Sequence, residues 1–202
     1  MKAIALVVAG MLVGMTPAAA AAGELTVRLY NSARLDVSEM MTARAVAEPI
    51  LREAGMDVRF RYCGSPVMPG SAVDRCNDAL APSEVVVRVI EAPHVSLTLQ
   101  PEVFGVAHIL KDNARGWLAS LYSDRISVTE LRLDLVPGTL LGRVLAHEVG
   151  HLLLSTPHHS ETGLMRANWT DDIIHRDMSA DWRFSLGEAA SMQQMLVSVR
   201  GE

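Results

Sequence analysis

Apolar and polar residues alternate at Leu25, Val27 and Leu29 against Thr26 and Arg28, and again at Met56, Val58, Phe60 and Tyr62 against Asp57, Arg59 and Arg61. A period of two puts every apolar side chain on one face, so each run predicts a half-buried strand. Between them, Met40, Ala43, Ala47, Ile50, Leu51 and Ala54 recur at intervals of three and four, which predicts a helix over 38–54 that Gly55 stops. Pro49 lies inside that stretch and marks a point for a kink or an early end.

Residues 63–83 contain three prolines, two glycines and both cysteines of the chain, the composition of an irregular loop. The run SEVVVRVI predicts a buried strand, and 95–99, 103–109 and 117–122 are further strand candidates. Pro137 and Gly138 then break the chain, Thr139 is placed to cap, and LLGRVLAHEVGHLLL forms an apolar helix to about Leu154, with Pro157 placed to turn the chain back. A last helix is expected in FSLGEAASMQQML, where Ser185 and Glu188 have capping-box spacing. These elements predict an α/β (α+β) domain: a twisted mixed sheet with a backing helix, the HEVGH helix beneath it, and a small C-terminal part ending in a helix.

The opening MKAIALVVAGMLVGMTPAAAAAG combines Lys2, a short apolar run and an alanine tract with several A-x-A sites, the pattern of a signal peptide over 1–22. The apolar run is shorter than the roughly 20 residues of a membrane span. The expectation is a secreted or periplasmic protein with no membrane anchor after cleavage, and a single domain over 23–202. In an oxidising compartment Cys63 and Cys76 are expected to pair, closing a loop worth about 3 kcal/mol. Half of the 202 residues are hydrophobic, enough for a core, and a net charge of -5 with scattered Lys and Arg argues against a nucleic-acid partner.

The chemistry concentrates in HEVGH. Residues four apart share one helix face, so His147 and His151 present two imidazoles to one point, the spacing of a zinc site, and Glu148 beside them is placed to act as general base. A catalytic zinc needs a third protein ligand and leaves a fourth position open, and His158 and His159 both follow closely enough to supply it. A downstream helical glutamate is another way to complete such a site, which makes Glu188 a candidate, although its capping-box role is the plainer reading. His94, His108 and His175 stand alone and are read as structural. Tyr122, Asp124 and Arg125 either line a cleft or form a strand end with a solvated turn, and Asn168 to Thr170 matches a glycosylation sequon.

The stretch HEVGHLLLSTPHHSETGLMRANW resembles the active-site segment of the metzincin clan of zinc peptidases, in which HExxHxxGxxH precedes a short loop and a methionine turn. It is most similar to small bacterial members with a longer spacing to the third histidine. The resemblance implies His159, followed by Ser160, as third ligand, Met165 as the methionine beneath the metal, one catalytic Zn2+, and hydrolysis of peptide bonds in a peptide or protein substrate. Leu154 replaces the family's glycine and Pro157 stands at the usual third histidine, so the loop must be longer, and His158 stays as the alternative. A zinc-binding module without turnover, or a structural zinc protein, would carry the same two histidines; neither requires Glu148.

Overall fold

A computed structural model describes residues 23–64, 76–93, 103–109, 116–176 and 178–199. The leader over 1–22, the strand expected over 95–99 and His94 lie outside the described residues.

The two alternating runs form β1 (Gly23–Asn31) and β2 (Met56–Cys63), joined through α1 (Val37–Glu53). They pair in parallel, with Leu25 opposite Val58 and Leu29 opposite Tyr62. A crossover helix is what lets consecutive strands run the same way. On the other side of β1 lies β3 (Glu84–Ile90), also parallel, followed by β5 (Leu118–Tyr122), and β4 (Gly105–His108) closes the edge antiparallel to β5. The sheet order is β2-β1-β3-β5-β4, a mixed sheet of five strands.

One face of this sheet carries Leu25, Val27, Leu29, Val85, Val87, Val89, Ala119 and Leu121, all buried, and packs against the helices. The other face is polar. There the buried Arg28 pairs with Glu84 and donates to the carbonyls of Asp78 and Ala79 at 2.7 and 3.0 Å, while the Tyr30 hydroxyl donates to the Cys76 carbonyl. Cys63 and Cys76 are joined by a disulfide, so the segment after the bridge is tied covalently to the end of β2 and by hydrogen bonds to β1.

Pro49 neither ends nor interrupts α1, which runs on to Glu53. A helix absent from the sequence expectation, α2 (Ser123–Arg132), follows β5 directly, so YSDR begins a helix instead of a solvated turn. The apolar helix α3 (Thr139–Leu154) is buried on every side, between α1, the sheet and the C-terminal elements. It is capped differently from expectation. Thr139 is its first residue, not its cap, and the orphan amides of Gly138, Leu140 and Leu141 donate to the buried carboxylate of Glu130 on α2, at 3.1, 2.7 and 3.3 Å. A carboxylate at a helix N-terminus satisfies those donors and complements the helix dipole. The helix also stops before Pro157, at Ser155 in the left-handed region, φ 50°. Beyond it come α4 (Asp171–Arg176), a 3-10 turn over Ser179–Trp182, and α5 (Leu186–Ser198), whose Ser185 and Glu188 form the expected capping box.

Candidate metal centre

The 3.6-residue period of α3 brings Val144, His147, Glu148 and His151 to one face, and the chain after the helix folds back over that face. The Nε2 atoms of His147 and His151 lie 3.0 Å apart, and that of His159 lies 3.2 Å from His151. His158, adjacent in sequence, is exposed and outside the cluster, because consecutive residues of this extended segment point apart. Among the described residues these three histidines are the one group of His, Cys, Asp or Glu whose atoms lie close enough to share a metal ion.

The far ring nitrogens fix the tautomers. Nδ1 of His147 lies 2.8 Å from the Leu164 carbonyl, and Nδ1 of His151 lies 2.8 Å from the Thr156 carbonyl. A carbonyl oxygen only accepts, so each Nδ1 carries the proton and each Nε2 presents a bare lone pair. Burial pushes the His147 pKa down to about 3, with His151 beside it adding to the effect, and burial likewise lowers His151 and His159. Neutral rings leave no proton between nitrogens 3.0 Å apart. Two facing lone pairs at that distance repel, and a cation between them removes the repulsion.

The return of the chain is held by backbone and side chain together. Ser160 N–H donates to the Met165 carbonyl at 2.8 Å, closing a turn that fixes His159, and the Ser160 hydroxyl donates to Glu188. Glu188 thus serves the α5 cap and the loop behind His159, and it is not one of the clustered ligand groups. Met165 is buried beneath the helix: a Cβ on Gly150, the fourth residue of HEVGH, would fall 2.7 Å from its sulfur and 2.6 Å from the Phe184 ring. Trp169 stands edge-on to His147 at 5.2 Å and edge-on to Trp182 at 5.2 Å, and Arg143 lies over the Trp182 ring at 4.0 Å.

Glu148 is buried against β4. A Cβ on Gly105 would come within 2.8 Å of its Oε1, so a side chain there would push the carboxyl out of its present position. The Ala107 amide donates to the carboxyl, while Oε2 is buried with no hydrogen-bond partner in the protein. Burial raises its pKa to about 8, against the opposing pull of the Ala107 amide. A group in this state can hold or release a proton near neutral pH.

A cleft of about 990 Å³ opens over His147, Glu148 and His159. Asp124 and Arg125, the second of which stacks on Tyr122 with 5.2 Å from Cζ to the ring centroid, line it from α2, and Asn168 and Thr170 of the sequon-like stretch line the opposite wall. His108 sits exposed on β4, 3.5 Å from the Ser120 hydroxyl, and His175 is exposed on α4; neither joins the cluster. Trp169, Gly105 and Arg132 carry no motif, and only their positions in the fold bring them to the cleft.

These shifts predict a pH profile for the metal-free protein. The histidines bind protons more weakly when folded, so stability rises with pH up to about 6.5, their ordinary pKa. Glu148 does the opposite. Its folded pKa of about 8 exceeds the ordinary 4.5, so stability falls as pH rises through that window. Between 6.5 and 8 the histidines no longer contribute, and at about 1.4 kcal/mol per pH unit the loss from Glu148 reaches about 2 kcal/mol. Urea unfolding of chelated protein at both pH values should show this fall, and Glu148→Gln should abolish it; equal falls in both proteins would refute the assignment.

With this geometry in hand, the fold proves to be that of a class of metallopeptidases. The chain superposes on metalloproteinase-II from Bacteroides fragilis with a TM-score of 0.51 and 17% identity, covering 89% of this chain and 55% of that one, so it spans about half the length of that protein. It superposes equally, at 0.51, on archaemetzincin from Methanopyrus kandleri (16% identity, 87% of this chain and 97% of that one) and on a zinc-dependent peptidase from Methanocorpusculum labreanum (15%, 82% and 99%). The chain therefore has a metzincin-like fold, as its HEVGH segment led one to expect. No protein-family model and no curated protein matches its sequence.

Proposed function

We propose that this protein is a zinc-dependent endopeptidase in which His147, His151 and His159 hold one zinc ion and Glu148 is the general base. The observation that carries the reading is the convergence of three histidine Nε2 atoms, two of them on rings whose Nδ1–H is held by a carbonyl, beside a buried carboxylate oxygen with no partner. The donor set fits. Tetrahedral zinc with bonds of about 2.0–2.1 Å separates its ligands by about 3.3 Å, near the 3.0 and 3.2 Å between the ring nitrogens. The zinc-dependent nature of the Methanocorpusculum peptidase supports the same choice of metal.

A zinc ion held there supplies Lewis acidity, which makes water acidic and a peptide carbonyl electrophilic. The chain's own residues do the rest. Nδ1–H of His147 and of His151, donating to Leu164 and Thr156 carbonyls, hold both rings in the ligating tautomer. The free oxygen of Glu148 takes a proton from the attacking water and delivers it to the leaving amine nitrogen. The cleft runs past the histidines from β4 to α4, giving a peptide room on both sides of the scissile bond.

His147 and His159 open onto this cleft and His158 points away, which argues against a structural, four-ligand zinc. Export fits the leader pattern of residues 1–22 and the disulfide, and no helix among the described residues is long and apolar enough to cross a membrane. Metal analysis of the purified protein, followed by a peptide-library digest with and without chelator, tests the proposal. About one zinc per chain and chelator-sensitive cleavage are expected; metal-free protein, or cleavage indifferent to chelator, would overturn it.

A further inference from the structure

The cleft has a direction. One face of α2, with Arg125, Val128, Thr129 and Arg132 at helical spacing, forms one wall, and 166–171 with Ile174 of α4 forms the other. Arg125 marks the end near β4, where its guanidinium donates to the Val103 carbonyl at 3.0 Å. Arg132 is seven residues further on, about 10 Å along the helix axis. There it meets Asp171, the first residue of α4, in a two-pronged ion pair whose second contact measures 2.9 Å. The pair joins the two walls at the end of the cleft away from β4.

Between that pair and the histidines the lining side chains are uncharged apart from Arg166. Val144 lies one turn before His147 on the same face of α3, Thr129 and Ile174 are buried behind it, and Trp169 flanks His147. Arg166 turns Nη2 to Asp181 at 3.0 Å, and the other charged groups of the lining, Asp124, Arg125 and Glu148, lie toward β4, where Asp124 accepts from the Ala92 amide at 2.8 Å. A charged substrate side chain entering this space would lose water and meet only a guanidinium already engaged with Asp181. An apolar one would bury its surface against Val144, Ile174 and Trp169.

We infer that the Arg132–Asp171 pair closes this end of the cleft and limits the substrate side chain lodged beside the histidines to an apolar residue of moderate length. This rests on the peptidase reading above. The pair acts through the shape of the pocket, so breaking it lengthens the pocket and changes which side chains fit. Both partners are about half exposed, at 51% and 57% for their side chains, so either can be replaced without disturbing the core.

The test uses the zinc-loaded full chain and a peptide series varied at the positions flanking the bond cleaved: Leu, Trp, biphenylalanine, Glu and Lys. Wild type is expected to prefer Leu over Glu, Lys and biphenylalanine by at least about tenfold in kcat/KM, the scale on which an apolar pocket discriminates size. Arg132→Ala and Asp171→Ala should each raise the biphenylalanine-to-Leu ratio about tenfold, and the charge swap Arg132→Asp with Asp171→Arg should bring it back. Because the readout is a ratio, a general loss of activity does not imitate it. Cleavage with ratios unmoved in both single variants, or a wild-type preference for Glu or Lys, overturns the inference while leaving the peptidase reading intact. No chelator-sensitive cleavage of any peptide overturns that reading, and this inference with it.

Discussion

Glu148→Gln lowers peptide hydrolysis by about 10³-fold and leaves zinc bound. The amide has the shape of the carboxyl, so it still accepts from the Ala107 amide and still fits beneath Gly105, where a larger side chain would not. It cannot take a proton from water. General-base catalysis contributes about 10² to 10⁴ in rate, which sets the size of the loss. The rings of His147 and His151 keep their carbonyl partners in this variant and the Ser160–Met165 turn behind His159 is untouched, so metal content should match wild type by elemental analysis. Activity within a few-fold of wild type at full zinc occupancy would remove Glu148 from the mechanism. Loss of zinc along with activity would make it a residue of the metal site's support instead of a base.

The second large effect separates two neighbouring histidines. His159→Ala should weaken zinc binding by at least about 100-fold, whereas His158→Ala should leave it within a few-fold of wild type. Zinc bound by four groups gains about 10–16 kcal/mol in total, so one ligand carries roughly 3 kcal/mol, which is about two orders of magnitude. The structure makes the contrast sharp, since Nε2 of His159 lies 3.2 Å from that of His151 while His158 is exposed outside the cluster. Competition titration against a chromophoric zinc chelator measures both. Equal losses in the two variants would mean that the loop exchanges its histidines at the metal.

Much of the arrangement was legible locally. Period-two alternation located β1 and β2, and apolar spacing located α1 and α3 to within about a residue, because each of these elements buries one face or more. Helix α2 was not legible. Its buried positions are Ser123, Ile126, Thr129 and Glu130, only one of them apolar, so the 3.6-residue period carries almost no hydrophobic signal. The same helix supplies the cap of α3, a wall of the cleft and Arg132. Thr139 was the local choice of cap, and a carboxylate eight residues upstream of Gly138 displaced it, a contact that exists only once α2 packs beside α3.

That His147, Glu148 and His151 share a helix face follows from their spacing alone, through the geometry of a single turn. So does the Ser185–Glu188 cap, a contact between residues three apart. Which of His158 and His159 turns toward His151 depends on tertiary contacts, because the turn from Ser160 to Met165 and the grip of Glu188 on Ser160 orient that segment. The same holds for the partnerless oxygen of Glu148 beneath β4 and for the closed end of the cleft. Each brings together residues from separate elements, and no periodicity along a chain records which elements will meet.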